Sequence, residues 1–174
     1  MALFSISVSN AQQVIINGLE GNRPLVWSDF KGKPDPASVY YALTGFNVGY
    51  NMPQMKVTRD SVPLDGFVVR LELDAKKSWV KKGKQTPALL KHEQGHFDIG
   101  RLAQMELVDI LKGTKVLPSQ LSATVGKIFN TTLAKYNRMG IQYDAETNHS
   151  IKQAEQDRWD LFLQNELARM ANLR

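Results

Sequence analysis

His92-Glu93-Gln94-Gly95-His96 sets two imidazoles four residues apart with a carboxylate between them, and it uses two of the three histidines in the chain. This is the H-E-x-x-H pattern of zinc peptidases. Residues four apart on a helix share a face, so both rings can meet one ion while Glu93 stands beside it. A catalytic zinc takes three protein ligands and keeps one position open. The third histidine, His149, lies in Tyr143-Asp144-Ala145-Glu146-Thr147-Asn148-His149, the other stretch dense in ligand-type side chains. The histidine count thus matches one zinc per chain, held by His92, His96 and His149.

Spacing narrows the class. A metzincin carries Gly and then His three and six residues past the second motif histidine; here those positions are Ile99 and Leu102. Glu106 lies on the motif helix too far along its axis to reach the same ion. Glu146 and Glu155 remain as alternatives to His149 for the third ligand. Asp144 and Glu146 otherwise serve as helix caps or as acceptors that orient an imidazole N–H. The chemistry implied is metal-assisted hydrolysis. Zinc lowers the pKa of its water to about 7. Glu93 takes that proton as general base and returns it to the leaving amine. Tyr143 is the nearby candidate to donate to the oxyanion.

Two other readings fit part of the pattern. Glu93-x-x-His96 and Glu146-x-x-His149 match the paired Glu-x-x-His of di-iron carboxylate bundles, which also need two inward glutamates from two further helices. A non-catalytic envelope protein with structural zinc would instead add a fourth protein ligand and close the site.

The elements that must position these groups are legible from periodicity. Leu89, Glu93, His96, Gly100, Ala103, Leu107 and Ile110 step by three and four, one stripe of an amphipathic helix. Thr86-Pro87 caps and starts it, and Lys112-Gly113 ends it. Gly100 lets another element approach closely. A second helix is expected from Pro118 to about Met139-Gly140, with Leu121, Val125, Ile128, Thr132 and Tyr136 on one face. A third is expected from Asp144–His149 to the C-terminus, burying Ile151, Trp159, Phe162, Leu163, Leu167 and Met170. Before Gly83 the period is two. Val14–Ile16 is stopped by Asn17-Gly18, Leu25–Trp27 is a short apolar run, Tyr40–Tyr50 alternates, and Phe67–Leu73 gives the cleanest strand signal. The expected class is α+β: a small N-terminal sheet, then three helices packed on it.

Composition sets wider bounds. At 174 residues and 43% hydrophobic content the chain can build one domain with a core. No run of eighteen apolar residues suggests a transmembrane segment. The net charge of +5 is concentrated in Lys76, Lys77, Lys81, Lys82 and Lys84 around Ser78-Trp79-Val80. That cluster reads as a solvated loop rather than a nucleic-acid surface. Without cysteine there are no disulfides and no thiolate ligands. Residues 1–11, apolar and then Ser9-Asn10-Ala11, resemble the end of a signal peptide with its cleavage site. Export to the periplasm or beyond, and a single domain over 12–174, follow as expectations.

Leu90–Ile99 around the motif and Tyr143–Ser150 resemble the two signature blocks of a bacterial family of unknown function, number nine-two-two among such domains, described as zinc-dependent proteases. Trp27-Ser28-Asp29-Phe30-Lys31-Gly32 resembles its N-terminal block and Ser78-Trp79-Val80 another short one. The similarity spans nearly the whole chain after Ala11. It implies an exported, zincin-like protein of Gram-negative bacteria and no particular substrate; a metallopeptidase acting on a peptide or protein is the expectation of the H-E-x-x-H chemistry.

Overall fold

The computed structural model describes residues 11–52 and 58–172. The expected leader remnant lies outside the described residues except for Ala11, whose carbonyl accepts the Val69 N–H at 2.9 Å.

Strands β1 (Gln12–Ile16) and β2 (Leu19–Glu20) form a hairpin. Its turn is Asn17-Gly18, with φ of 54° and 77°. This is the left-handed pair that matches strand twist and that Asn-Gly adopts readily. Short strand β3 (Ala42–Leu43) is followed by β4 (Phe46–Asn51), β5 (Val62–Pro63), β6 (Val68–Leu73) and β7 (Trp79–Val80). Four strands make the main sheet in the order β2-β1-β6-β4, with β1 parallel and β4 antiparallel to β6. On β6 the residues Val69, Leu71 and Leu73 turn into the core while Val68, Arg70 and Glu72 do not, as a half-buried strand requires. β3 pairs with β7, and β5 with β8 (Lys115–Val116).

Helix α1 (Pro87–Lys112) lies across this sheet. The Thr86 hydroxyl accepts the Leu89 N–H at 3.1 Å and Pro87 opens the first turn. Gly100 faces the sheet. A methyl group there would stand 2.8 Å from the Phe46 ring and 3.1 Å from Leu71, so the bare Cα sets the helix–sheet distance. Helices α2 (Leu121–Thr147) and α3 (Gln153–Asn172) pack on α1 from the other side. One core cluster joins Val62, Leu64, Phe67 and Val69 to Leu107, Val108, Leu111, Val125 and Phe129. A second lies among the helices around Leu102, Tyr136, Tyr143, Trp159 and Leu163. A third joins Ile16, Leu25, Phe30 and Leu71 to Phe97. The architecture is α+β: N-terminal mixed sheets followed by three helices.

Three details depart from the expected elements. The Tyr40–Tyr50 alternation is broken at Thr44-Gly45 into β3 and β4, because the Gly45 N–H leaves the sheet for Ser78 Oγ at 3.0 Å. Helix α2 does not end at Met139-Gly140 but continues to Thr147, where Asn148 adopts the left-handed cap. A mid-helix glycine costs about 1 kcal/mol, and the complete burial of Tyr143 and Thr147 beyond it outweighs that. Consequently α3 starts late. Gln156, Trp159, Leu163 and Met170 form its buried face, while Ile151 and Phe162 are exposed.

Candidate metal centre

Helix α1 buries His92 and Glu93 and leaves His96 at the inner edge of a cleft. Asp144 comes from the last turn of α2, and His149 from the turn that follows. All three imidazoles converge on one carboxylate oxygen. Asp144 Oδ1 lies 3.1 Å from His92 Nε2, 2.9 Å from His96 Nε2 and 3.2 Å from His149 Nδ1. Ligand atoms of His92, Asp144 and His149 lie within 4.8 Å of one another, close enough to hold a metal ion. In a tetrahedral zinc site with bonds of about 2.0–2.1 Å, ligand atoms stand about 3.3–3.4 Å apart. Asp144 Oδ1 is within that distance of each ring nitrogen, but the set close enough to share an ion is His92, Asp144 and His149; His96 meets Asp144 and lies outside that set.

The turn bearing His149 is unusual. Asn148, His149 and Ser150 have φ of 48°, 51° and 72°, three successive non-glycine residues in the left-handed region. Each such residue costs on the order of 1 kcal/mol, and clusters of them gather at functional sites. The Tyr40 ring packs against His149 in a tilted contact, with centroids 4.5 Å apart.

The orientation of His92 is set from behind. Both amide hydrogens of Gln156 are engaged, one by Tyr143 Oη at 2.6 Å and one by Asp160 Oδ1 at 2.7 Å. Its carbonyl therefore faces His92 Nδ1, 3.0 Å away, and accepts that N–H. With Nδ1–H taken by Gln156, Nε2 is the atom that faces Asp144: carrying a proton it donates there, and without one it would offer its lone pair to a metal ion. The latter is the tautomer, with the kind of hydrogen-bonded support, that metal-binding histidines use. Asp160 is in turn paired with Lys91 at 2.5 Å. Gln156 carries no sequence signal beyond being a polar residue on the inward phase of α3.

Glu93 is buried, and Thr44 Oγ1 donates to its Oε2 at 2.6 Å. The break between β3 and β4 is what brings Thr44 here. Burial pushes the Glu93 carboxyl above the ordinary glutamate range, only partly offset by His96, Thr44 and His92. Burial also works against the Asp144 carboxylate, yet the hydrogen bonds from His92 and His96 and the charges of His96 and His149 hold it well below its usual range. For His96, burial favours the neutral ring, but Asp144 and Glu93 outweigh it and raise the imidazole. Two acids of opposite tendency thus stand beside one set of histidines, the arrangement that separates acid and base roles.

Tyr143 does not take the expected place of oxyanion donor. As an oxyanion donor it would have to reach the cleft, but it is completely buried and is absent from the cleft wall. Its hydroxyl donates to the His92 carbonyl at 3.1 Å and accepts from Gln156, while its ring stacks on His92 at 4.6 Å. The reason is the longer α2, which aims Tyr143 at the motif helix. Gly95 makes room, because a Cβ there would stand 2.7 Å from Tyr143 Cζ. Tyr143 therefore positions His92 instead of meeting a substrate. Glu146 does not join the cluster either. It accepts from Gln142 and Trp159, both at 2.7 Å, which breaks the second Glu-x-x-His pair that a di-iron site needs. Glu155 pairs with Arg158. Asp144, expected as a cap or as an acceptor for an imidazole N–H, is the acceptor on which all three histidines converge.

The cleft in front of these residues has a volume of about 890 Å³ and runs between the β3–β4 segment, α1 and α2. A profile for the bacterial proteins of unknown function called DUF922 matches residues 29–150. The chain belongs to that family. The matched span contains Asp29, the motif helix, Asp144 and His149. No curated protein and no solved structure matches the chain.

Proposed function

We propose that this member of the DUF922 family is a zinc-dependent hydrolase that cleaves peptide bonds. The observation that carries the reading is the buried Glu93 carboxylate, held by Thr44 at the wall of an open cleft, beside three imidazoles that converge on one point. A structural metal site needs neither the cleft nor the base. His92, His96 and His149 would hold the ion, with Asp144 against them. Bound zinc supplies the positive charge that acidifies a water and polarises a carbonyl.

The chain's own groups perform the proton transfers. Glu93 accepts a proton from the attacking water as its oxygen bonds to the scissile carbonyl carbon. It delivers that proton to the amide nitrogen as the C–N bond breaks. A carboxyl raised by burial is a better match for this relay near neutral pH than an exposed one. Thr44 holds one oxygen of Glu93, and Gln156 with Tyr143 fixes the ring of His92. The outer edge of β4 borders the cleft and, among the described residues, pairs with no further strand. An extended peptide can add there by main-chain hydrogen bonds. Peptide substrates, rather than nucleic acid, and an exported location complete the proposal. They are supported by the cleft and by the N-terminal residue pattern respectively.

The convergence on Asp144 also favours a second reading, a closed four-ligand zinc site without catalysis. Glu93→Gln and His96→Ala distinguish the two. Under the hydrolase reading Glu93→Gln keeps stoichiometric zinc and its thermal midpoint, and loses on the order of a hundredfold or more in peptide hydrolysis. His96→Ala loses metal as well. Zinc-loaded wild-type protein that cleaves no member of a broad peptide library would establish the closed site instead.

A further inference from the structure

The cleft is built differently at its two ends. The polar end holds Glu93, Asp144 and the histidines, already engaged with one another and with Thr44. Beyond them the lining is almost entirely uncharged, with no lysine or arginine on the wall among the described residues. Phe46, Ile99, Leu133 and Tyr136 line its interior. Its lips carry large apolar side chains that face water. Val39 and Leu43 on the strand side are 83% and 39% exposed, and Ile141 and Ile151 on the helical side are 62% and 69% exposed. Facing apolar lips on both sides of a cleft mark a binding surface far more than scattered apolar residues do.

We propose that this apolar cleft selects the substrate of the site: an extended polypeptide with a bulky, uncharged side chain next to the bond that is cut. The inference rests on the hydrolase reading for the word substrate, and on the cleft alone for the selectivity. A charged side chain placed there would lose its water and find no partner. An aromatic or branched aliphatic one would bury area against both lips. The free edge of β4 binds main chain whatever the sequence, so the selectivity comes from the cleft. The volume of about 890 Å³ holds more than one side chain, and the cleft is continuous with the metal centre, so residues on it lie adjacent to the reacting bond.

The test uses full-length, zinc-loaded Glu93→Gln protein and two fluorescein-labelled ten-residue peptides of Gly and Ser, one with Phe-Leu at its centre and one with Asp-Lys. Anisotropy should show the Phe-Leu peptide binding at least about tenfold more tightly, the scale set by desolvating one large apolar side chain. Ile141→Lys and, separately, Leu43→Lys should each weaken that peptide by about tenfold while leaving the melting temperature unchanged, since both positions are exposed. Equal affinity for the two peptides overturns the proposal. So does unchanged affinity in both lysine variants, or a wild-type dimer in sedimentation that either variant dissociates, since the lips then cover a second copy. Selective binding by Glu93→Gln with no cleavage by wild type sinks hydrolysis and leaves the cleft assignment standing. Cleavage of both peptides at equal rates does the reverse.

Discussion

Helix α1 has two halves that are held in place by different forces. From Pro87 to Gly100 it packs Leu89, Phe97 and Ile99 in the core but also buries His92 and Glu93, and these two are positioned by Gln156, Asp144 and Thr44 through hydrogen bonds of 2.6–3.1 Å. From Arg101 to Lys112 it buries Leu102, Leu107, Val108 and Leu111 against the sheet and α2. The buried polar residue of that second half, Gln104, gives its amide hydrogens to the carbonyls of Gln13 and Val69 at 2.7 and 2.8 Å, tying β1 and β6 to the helix. In the apolar half, position follows from volume. In the polar half it follows from which donor meets which acceptor. A substitution of equal size should therefore be nearly silent at Leu107 or Leu111 and disabling at His92 or Glu93.

The largest effect on stability is expected in the apolar half. Leu107 is fully buried, and Leu107→Ala removes its packing and leaves a cavity, a loss of about 2–5 kcal/mol. Chemical denaturation should show that loss while the folded protein keeps the zinc stoichiometry proposed for wild type. Loss of metal without loss of stability would erase the contrast between the halves.

Gly95→Ala tests the boundary of the two regimes, because there a methyl group collides with the ring that supports the site. The Tyr143 phenol is fixed by Gln156 and the His92 carbonyl and cannot swing away freely. Overpacking of this kind costs about 1–3 kcal/mol. Here the displaced Tyr143 should also disturb His92, so the variant should lose both stability and zinc affinity. Unchanged zinc affinity would show that His92 does not depend on the ring beneath it.

Gln156→Met keeps the volume and removes the acceptor of the His92 Nδ1–H. Loss of such a supporting hydrogen bond costs about 10–100-fold in metal affinity, and competition with a chromophoric chelator measures it. The structural cost should be smaller than that of Leu107→Ala. A zinc affinity equal to wild type would mean that Gln156 does not set the tautomer.

The smallest effect belongs to the polar loop docked on the first half of α1. Leu25 N–H donates to Gln94 Oε1 at 2.7 Å, and Asp29 nearby is buried and receives Arg23 at 2.7 and 2.8 Å. Burial opposes the Asp29 carboxylate, but Arg23, the Val26 N–H and Asn17 outweigh it and hold the acid below its ordinary value. A depressed carboxyl contributes stability that is fully present above its unfolded pKa and is lost as pH falls through the folded one. Urea denaturation should therefore show wild type losing more stability than Asp29→Asn between pH 5 and pH 2.5, values that bracket the ordinary carboxylate range of about 3.9. Parallel pH profiles for the two proteins would place the titrating groups elsewhere.

The legible parts of this chain are those encoded within a few residues. The H-E-x-x-H spacing places His92 and His96 on one helical face, Thr86-Pro87 starts α1 at the expected residue, and the alternation of Val69, Leu71 and Leu73 is the register of β6. Each follows from a backbone period or a local cap, which neighbouring residues determine by themselves. Gly100 likewise declared a close approach, although not that Phe46 and Leu71 would fill it. What tertiary structure decided is the company these residues keep. Whether α2 ends at Gly140 or runs to Thr147 depends on the burial of Tyr143 behind Gly95, and that choice turns Tyr143 away from the cleft and brings Asp144 into the histidine cluster. Gln156 reaches His92 across 64 positions, and Thr44 reaches Glu93 across 49. No local period encodes such meetings. They arise because a buried donor or acceptor must find its partner wherever the packed chain brings one within about 3 Å.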